Sequence, residues 1–382
     1  MIAIVKLSNI LGLDGYFGIL FVSAFFVNLA GVFTFLSVYH ITKSTRISIF
    51  SWVIFTLWVG LSPWISIPYT DTYSILFPIL AFYLYVSKKP KNSGIRWLFI
   101  GLLCIYGSTM KQTVIIVLVA IIIVELVNAI AQKNKKVWKS LLLSFVMILI
   151  STLPVLMISS FSKDIVGLEL NPEADFTVYH LVMMGLNEET NGVYSQSDVE
   201  FSASFSTIEE RNAKNLEVIQ QRLKNYGFFG YLKFLADKGL VIFTDGTFAW
   251  GVEGGFYNII PERTNEFALF LKDIYYHEGD YYPLFTIVHQ ILWFVTLLFL
   301  PAAGFLTKKP DQIKTTLLLS IIGFILAILM FEARARYIFH FAPFFVMAAS
   351  IGLHEVAKKL IDNPGGQALE DLESPWVGGA KR

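Results

Sequence analysis

Several charged side chains lie beside long apolar stretches of the chain, where they could bind a ligand or take part in catalysis. They fall in three short segments, and the members are Asp71 in SPWISIPYTDT, Lys111 in GSTMKQT, and Glu332, Arg334, Arg336 and Tyr337 in FEARARYIFHFAP. A charge at membrane depth is costly, so such residues by default mark a functional site. The alternative for any single one is that it ends a helix at headgroup level. The topology predicted below puts all three segments on one side of a membrane, which favours function.

A second set of residues could hold a sugar. An aromatic ring can cover the C–H face of a sugar while acids and amides bind its hydroxyls. The set comprises Asp245, Glu253, Trp250 and Tyr257 in DGTFAWGVEGGFYN, with His180 and Asn187 earlier in the chain. The alternative is that this Gly- and aromatic-rich loop only packs at the membrane interface, where Trp and Tyr are common.

Other chemistry has no sequence signature. The chain has no phosphate-binding G-x-x-x-x-G-K-[ST] loop, no H-E-x-x-H and no G-x-S-x-G elbow. Its six histidines show no metal-ligand spacing, and its single cysteine, Cys104, excludes an internal disulfide. A net charge of +1 gives no support to nucleic-acid binding, which needs a basic excess.

Composition indicates what kind of fold holds these residues. Charged residues make up only 15% of the 382 and hydrophobic residues 55%, which is too few charges to coat a soluble globule. The charges are also segregated, because residues 161–282 hold 19 of the 29 acids and 9 of the 30 bases. The sequence therefore predicts a mainly α, polytopic helical membrane protein with one solvated, acidic, α-rich domain.

Hydropathy places about nine spans, since roughly 20 apolar residues cross the hydrocarbon core. They are 16–39, 47–64, 72–87, 96–110, 113–131, 140–160, 283–306, 315–332 and 337–356. We accordingly expect a six-span N-terminal membrane domain at 1–160 and an extracytoplasmic domain at 161–282, between the sixth and seventh spans. A three-span C-terminal membrane domain at 283–356 and a cytoplasmic tail at 357–382 complete the chain.

The short loops set the predicted orientation. Basic residues follow the odd-numbered spans, and they include Lys43 and Arg46, Lys88, Lys89 and Lys91, Lys133, Lys135 and Lys136, Lys308 and Lys309, and Lys358 and Lys359. Basic short loops face the cytoplasm. This orientation predicts a multi-pass cell-membrane protein whose 161–282 domain and three charged segments lie outside and whose C-terminus is cytoplasmic.

The layout resembles the GT-C superfamily of polytopic membrane glycosyltransferases, particularly the protein-mannosyltransferase-like proteins of Gram-positive bacteria. The matching pieces are PYTDT at 68–72, MKQT at 110–113, HLVMMGLNEETNGVYSQSDVEFS, DGTFAWGVEGGFY and EARARY at 332–337. The two long blocks are fairly specific to the bacterial group, and the others are weak individually. The resemblance implies a sugar donor carried on a polyprenyl phosphate and an acceptor in a cell-surface glycan or other wall polysaccharide.

The resemblance also implies roles for individual residues. Arg334, Arg336 and Tyr337 would grip the donor phosphate, with Lys111 as a further partner, since arginine pairs bidentately with phosphate. Asp71 would orient substrate or a divalent cation; the cofactor is otherwise left open. Family members begin with a span and a large outer loop carrying the catalytic acid, whereas this sequence opens at MIAIVKLSNILGLDGY, so we expect a version lacking them. The base is then sought among Asp71, Asp245 and Glu253.

The leading hypothesis is therefore a polyprenyl-phosphate-sugar-dependent glycosyltransferase. One alternative is a non-catalytic remnant or an assembly subunit of envelope polysaccharide synthesis. Another is a transporter or flippase of lipid-linked sugars, although few polar residues lie within the spans to form a pathway.

Overall fold

A computed structural model describes residues 2–166, 171–257, 265–306, 311–332 and 334–362, and all regular secondary structure in these ranges is helical. The first eight helices are α1 (Ile2–Ile10), α2 (Gly15–Thr42), α3 (Thr45–Phe55), α4 (Thr70–Ser74), α5 (Leu76–Ser87), α6 (Ser93–Met110), α7 (Ile115–Gln132) and α8 (Lys135–Val166). The next five are α9 (Val178–Gly185), α10 (Gln196–Ala203), α11 (Ile208–Phe243), α12 (Trp250–Glu253) and α13 (Glu266–Tyr275). The last four are α14 (Tyr282–Phe299), α15 (Ala302–Phe305), α16 (Gln312–Met330) and α17 (Ala342–Asp362).

Seven helical segments in the described ranges are long and apolar enough to cross a membrane. They are Gly15–Thr42, Ser93–Met110, Gln112–Gln132, Lys135–Phe161, Tyr282–Phe305, Gln312–Met330 and Ala335–Ile361. The second predicted span corresponds to a shorter apolar helix, Thr45–Gly60, and the third to α4 and the 12-residue α5. The mainly α membrane architecture is confirmed, and the number nine stays a prediction.

Three helices of the N-terminal half end on a lysine. Lys43, Lys88 and Lys133 follow α2, α5 and α7 with φ of 57°, 54° and 50°, the left-handed conformation that closes a helix. A cation at this position also interacts favourably with the negative end of the helix dipole. The basic loops therefore begin directly where these helices stop.

Helix α17 occupies the centre of the bundle. In the apolar stretch of this candidate span 83% of the residues are buried, whereas in the other six candidate spans the share is 22–39%. It packs against α2, α3, α14, α15 and α16. Phe341, directly before its first residue, stacks on Phe324 of α16 and on Phe344 of α17, at 4.5 Å in each case. At Gly352 an added Cβ would lie 1.9 Å from the Phe299 carbonyl oxygen, so this close helix approach requires glycine.

Residues 171–257 form a helical segment with its own small core. Met183, Leu186, Ile219 and Phe234 are buried together where α9 packs on α11. Helix α11 turns a corner at Gly227, whose φ of 57° and ψ of −173° split it into a first arm (208–226) and a second arm (228–243). Glycine suits this corner because it adopts positive φ without steric cost.

The C-terminal part of this segment, from about residue 242, packs inside the helical bundle. Three indole N–H groups donate to its backbone carbonyls, from Trp58 to Gly246 at 2.8 Å, from Trp64 to Phe248 at 2.9 Å and from Trp293 to Phe243 at 2.6 Å. The side chains of Ile242, Phe248 and Trp250 belong to the same buried cluster as the bundle helices. The loop DGTFAWG is thus held between spans, although the predicted domain limits place it in the 161–282 segment.

Candidate functional site

Four chain segments converge at one end of the bundle, which we call the site end. Asp71 lies in the first turn of α4, and Lys111 is the C-cap of α6. Glu253 is the last residue of the short helix α12, whose first two residues belong to the DGTFAWG loop. The fourth segment, residues 332 and 334–337, connects α16 to α17.

These segments form a chain of charges that alternates in sign. Lys111 Nζ lies 2.8 Å from Asp71 Oδ1, and Arg336 Nε lies 3.4 Å from Asp71 Oδ2. Arg336 Nη1 donates to Glu253 Oε2 at 2.6 Å, and Arg334 Nη1 donates to Glu253 Oε1 at 2.8 Å. Each oxygen of Glu253 therefore accepts a hydrogen bond from a different arginine.

Tyr337 closes this chain into a ring. Arg334 Nε lies 3.6 Å from Glu332 Oε1, and the Tyr337 hydroxyl donates to Glu332 Oε2 at 2.7 Å. The Tyr337 ring in turn lies 3.5 Å from Lys111 Nζ, a cation–π contact. We call the set Lys111, Asp71, Arg336, Glu253, Arg334, Glu332 and Tyr337 the charge ring. Its three cations balance its three anions, which makes burial of this many charges tolerable.

A cavity of about 600 Å³ opens beside the charge ring, between the bundle and α9. Its polar lining comes from Glu253, Glu332, Arg334, Arg336, Tyr337 and His180, and its apolar lining from Tyr69, Phe176, Leu181, Met184, Tyr194 and Val199. This volume lies within the 300–1,000 Å³ typical of small-molecule sites. The lining combines two arginines, two carboxylates and several aromatic rings.

Aromatic rings hold the two arginines in place. The Tyr69 ring lies 3.9 Å from the Arg336 guanidinium carbon, and the Trp64 ring lies 5.2 Å from it. The Tyr194 ring lies 5.4 Å from the guanidinium carbon of Arg334. In the described contacts neither arginine uses Nη2 as a hydrogen-bond donor to the protein. Each can therefore offer further N–H groups to a ligand in the cavity.

Asp71 lies behind the cavity. Its side chain is buried between Lys111 and Arg336 and is not among the described cavity-lining residues. Burial opposes ionisation, but the neighbouring cations outweigh it and hold the pKa of Asp71 below its ordinary value of 3.8. Asp71 is therefore an ionised counter-ion, and of the three predicted base candidates only Glu253 lines the cavity.

Of the other predicted residues whose side chains the structure describes, only His180 lines the cavity. Asp245 stabilises the DGTFAWG loop by accepting hydrogen bonds from the Thr247 hydroxyl and the Ala249 N–H. Trp250 is buried, its N–H donates to the Tyr275 carbonyl, and its ring packs edge-on against Trp64. Asn187 donates to Asp198 and lines a separate cavity, of about 390 Å³. The Tyr257 side chain lies outside the described residues, and His180 lines the main cavity while contacting the Ser202 hydroxyl.

His340 was not predicted from the sequence, although it contacts Asp71 of the charge ring. Its Nδ1 lies 3.7 Å from Asp71 Oδ1, and its Nε2 lies 2.7 Å from the Thr113 hydroxyl. It is fully buried beneath the charge ring. Its position four residues after Arg336 is the only signal that the sequence offers.

Lys238 joins the two walls of the cavity and was also missed. This buried lysine on α11 donates to the carbonyls of Gly185 and Phe331 at 2.8 and 2.6 Å. Gly185 ends α9, and Phe331 directly precedes Glu332 of the charge ring. At Gly185 an added Cβ would lie 2.5 Å from the Phe331 carbonyl carbon, so the two segments are in backbone contact. Gly185, within the block HLVMMGLNEETNGV, therefore docks the end of α9 on the site.

Lys238 gives stability a pH dependence. Burial lowers the pKa of Lys238 from 10.5 to about 8, against the attraction of Glu332. Between these values the unfolded chain binds more protons than the folded chain, so the free energy of unfolding should rise with pH. The full shift corresponds to about 3 kcal/mol. We expect the thermal midpoint of wild type, relative to Lys238→Met, to rise between about pH 8 and 10. A constant difference between the two midpoints would contradict this placement of Lys238.

The described carboxylates do not suit a resident divalent cation. No group of three or more His, Cys, Asp or Glu side chains in the described ranges is arranged to hold a metal ion. The carboxylates of Asp71 and Glu253 are each already paired with two basic side chains. A further positive charge at either position would be repelled, so we assign no step to a metal.

Comparisons with known proteins place the chain in one family. No curated protein and no solved structure matches it. The sequence profile of one family, described as conserved hypothetical integral membrane proteins, matches residues 1–357. The match covers most of the 382 residues and includes every residue of the charge ring. The chain therefore belongs to this family of conserved hypothetical integral membrane proteins.

Proposed function

We propose that this protein is a membrane glycosyltransferase that moves a sugar from a polyprenyl-phosphate donor to a cell-surface glycan. The observation that carries the proposal is the cavity at the site end, where two arginines, two carboxylates and aromatic rings share one space of about 600 Å³. A lipid phosphate is already a good leaving group, so catalysis chiefly needs phosphate stabilisation and one base. The cavity lining contains groups suited to both tasks.

Arg334 and Arg336 would hold the donor phosphate. Both line the cavity, and both keep N–H groups that are not used within the described protein. A guanidinium matches phosphate geometry because it presents parallel donors. The aromatic side chains of Tyr69, Phe176 and Tyr194 line the same cavity and would cover the apolar face of the sugar.

Glu253 now occupies the position that a donor phosphate would take. Its two oxygens accept hydrogen bonds from the two arginines, much as two oxygens of a phosphate would. An arriving phosphate competes with Glu253 for these donors and releases the carboxylate into the cavity. The charge ring is electrically neutral without ligand. The phosphate and the released Glu253 therefore share the two arginines with Asp71 and Glu332, which already pair with them.

The reaction then needs a single displacement at the sugar C1 atom. The C1–O bond to the phosphate breaks, and its electron pair stays on the lipid phosphate beside the two arginines. The acceptor oxygen bonds to C1, and its proton passes to the released Glu253 carboxylate. A positioned base of this kind contributes roughly 10²–10⁴-fold to rate.

The proposed orientation puts the site end on the outer face of the cell membrane. Lys43, Lys88 and Lys133 end helices at the opposite end of the bundle, and short basic loops face the cytoplasm. The 161–282 segment would then be extracytoplasmic, where a wall glycan can reach the cavity.

The test is sugar transfer by the purified chain in proteoliposomes. A panel of radiolabelled hexoses on polyprenyl phosphate serves as donor, and extracted cell-envelope glycan serves as acceptor. We expect label in the glycan with wild type and with the surface variant Glu217→Gln, whose side chain is 64% exposed. Movement of the lipid between leaflets without transfer would instead indicate a flippase. Transfer that appears only with a co-purified partner would indicate an assembly subunit.

A further inference from the structure

Two adjacent phenylalanines stand exposed at the corner of α11. Phe228 and Phe229 are 73% and 83% exposed, and their rings contact each other edge-to-face at 5.3 Å. They directly follow Gly227, whose positive φ turns the chain outward here. Exposed apolar groups that lie together mark an interaction site more often than single ones do. The exposed pair at this corner therefore indicates an interaction site.

The apolar surface continues along the second arm of α11. Leu232, Ala236 and Leu240 are exposed and follow Phe229 at intervals of three and four residues, so all four share one side of the helix. The opposite side carries the buried residues Phe234, Lys238 and Ile242. We call Phe228, Phe229, Leu232, Ala236 and Leu240 the apolar stripe.

The lower end of the stripe meets the bundle near the end of a span. Gly239 lies beside Leu329, one residue before the end of α16. On α16 itself, Leu326 and Met330 are exposed apolar residues of a candidate span. The stripe therefore continues a surface that faces lipid in an integral membrane protein.

A second amphipathic helix, α13, indicates the level of the bilayer surface beside the α14 span. Helix α13 carries exposed Phe267, Phe270 and Leu271 on one side and ends seven residues before the α14 span begins. An amphipathic helix that leads into a span typically lies in the interface plane. Lys233 and Asp237 form an exposed ion pair beside the stripe, as suits a helix lying between lipid and water.

We propose that the apolar stripe rests in the interface of the lipid bilayer and anchors the 171–257 segment there. Lipid is favoured over a second protein copy because the stripe is continuous with the exposed apolar surface of α16. Burial of the two phenylalanine side chains in the apolar part of the interface favours this position. Since α11 packs on α9, whose residues line the cavity, this contact also holds the cavity mouth close to the membrane surface.

The sole cysteine allows a direct test by spin labelling. Cys104 is buried, so a Cys104→Ser background removes residual labelling without touching the surface. Nitroxides are placed singly at Phe229→Cys and Leu232→Cys, with Glu217→Cys on the first arm as the matched control. The protein is reconstituted in phosphatidylcholine and phosphatidylglycerol vesicles. Collision rates with oxygen, which concentrates in lipid, and with a water-soluble nickel chelate are then compared.

We expect oxygen to dominate at 229 and 232 and the nickel chelate to dominate at 217. The Glu217 control is informative because its side chain is 64% exposed on the first arm. Nickel accessibility at 229 and 232 equal to that at 217 would overturn the proposal. Strong dipolar broadening between labels on two chains would overturn it as well, because it would assign the stripe to a second copy. The result is independent of sugar transfer.

Discussion

Replacing Glu253 with glutamine is expected to tighten binding of the polyprenyl-phosphate donor while lowering sugar transfer by roughly 10²–10⁴-fold. Tighter binding follows because the carboxylate that accepts hydrogen bonds from Arg334 and Arg336 loses its negative charge. The charge ring then carries one excess positive charge, and we expect the donor Kd to fall by about tenfold, or about 1.4 kcal/mol. Transfer falls because the base is gone. Binding is measured with fluorescent polyprenyl phosphate in nanodiscs, and transfer with labelled donor.

The opposite directions of the two effects separate this mechanism from a purely structural role. Losing one partner of a buried ion pair destabilises a protein by about 3–5 kcal/mol, which would weaken both binding and transfer. The double variant Glu253→Gln with Arg334→Gln restores the charge balance and serves as the stability control. Recovery of transfer in this double variant would show that Glu253 is not the base.

Replacing Arg336 with methionine is expected to abolish donor binding and to cause the largest loss of stability among the charge-ring variants. Arg336 pairs with the two most buried carboxylates of the ring, Asp71 and Glu253, whereas Arg334, which pairs with Glu253 and Glu332, is more exposed. Without Arg336 two buried carboxylates face each other with one fewer cation, at a cost of about 3–5 kcal/mol. Donor binding by fluorescence and the thermal midpoint measure the two effects.

Two further variants keep this prediction testable if Arg336→Met folds poorly. Arg336→Lys preserves the charge but loses the planar fork that lies against Tyr69, so we expect a folded protein with weakened donor binding. Arg336→Met combined with Asp71→Asn removes one charge of each sign, and it should recover stability without recovering binding. Wild-type donor affinity in either variant would contradict the assignment of the phosphate to Arg336.

The sequence predicted the membrane architecture and the meeting of distant charges for a simple physical reason. Charges next to apolar spans must find partners, so Asp71, Lys111 and Arg336 could be expected together once the topology put them on one side. The structure brings these three into ion pairs. The alternation of basic loops thus carried more information about the site than any single motif did.

Other features depended on packing that a single sequence does not encode locally. Trp250 belongs to a motif that suggests an aromatic surface for binding a sugar. In the structure its side chain instead packs in the core of the bundle. The sequence does not distinguish Lys238 from the other lysines of α11, but Gly192, which lies against its side chain, leaves room for it to be buried. Both depend on contacts between residues more than fifty positions apart in the chain, such as the bond from Lys238 to the Gly185 carbonyl.

The most direct test of the central claim is sugar transfer by the purified wild-type chain in proteoliposomes, measured beside Glu253→Gln and Arg336→Lys. The proposed mechanism predicts labelled glycan with wild type, almost none with Glu253→Gln despite tighter donor binding, and little with Arg336→Lys because donor binding is weak. Equal transfer by wild type and both variants, or no transfer by wild type from any polyprenyl-phosphate hexose, would contradict it.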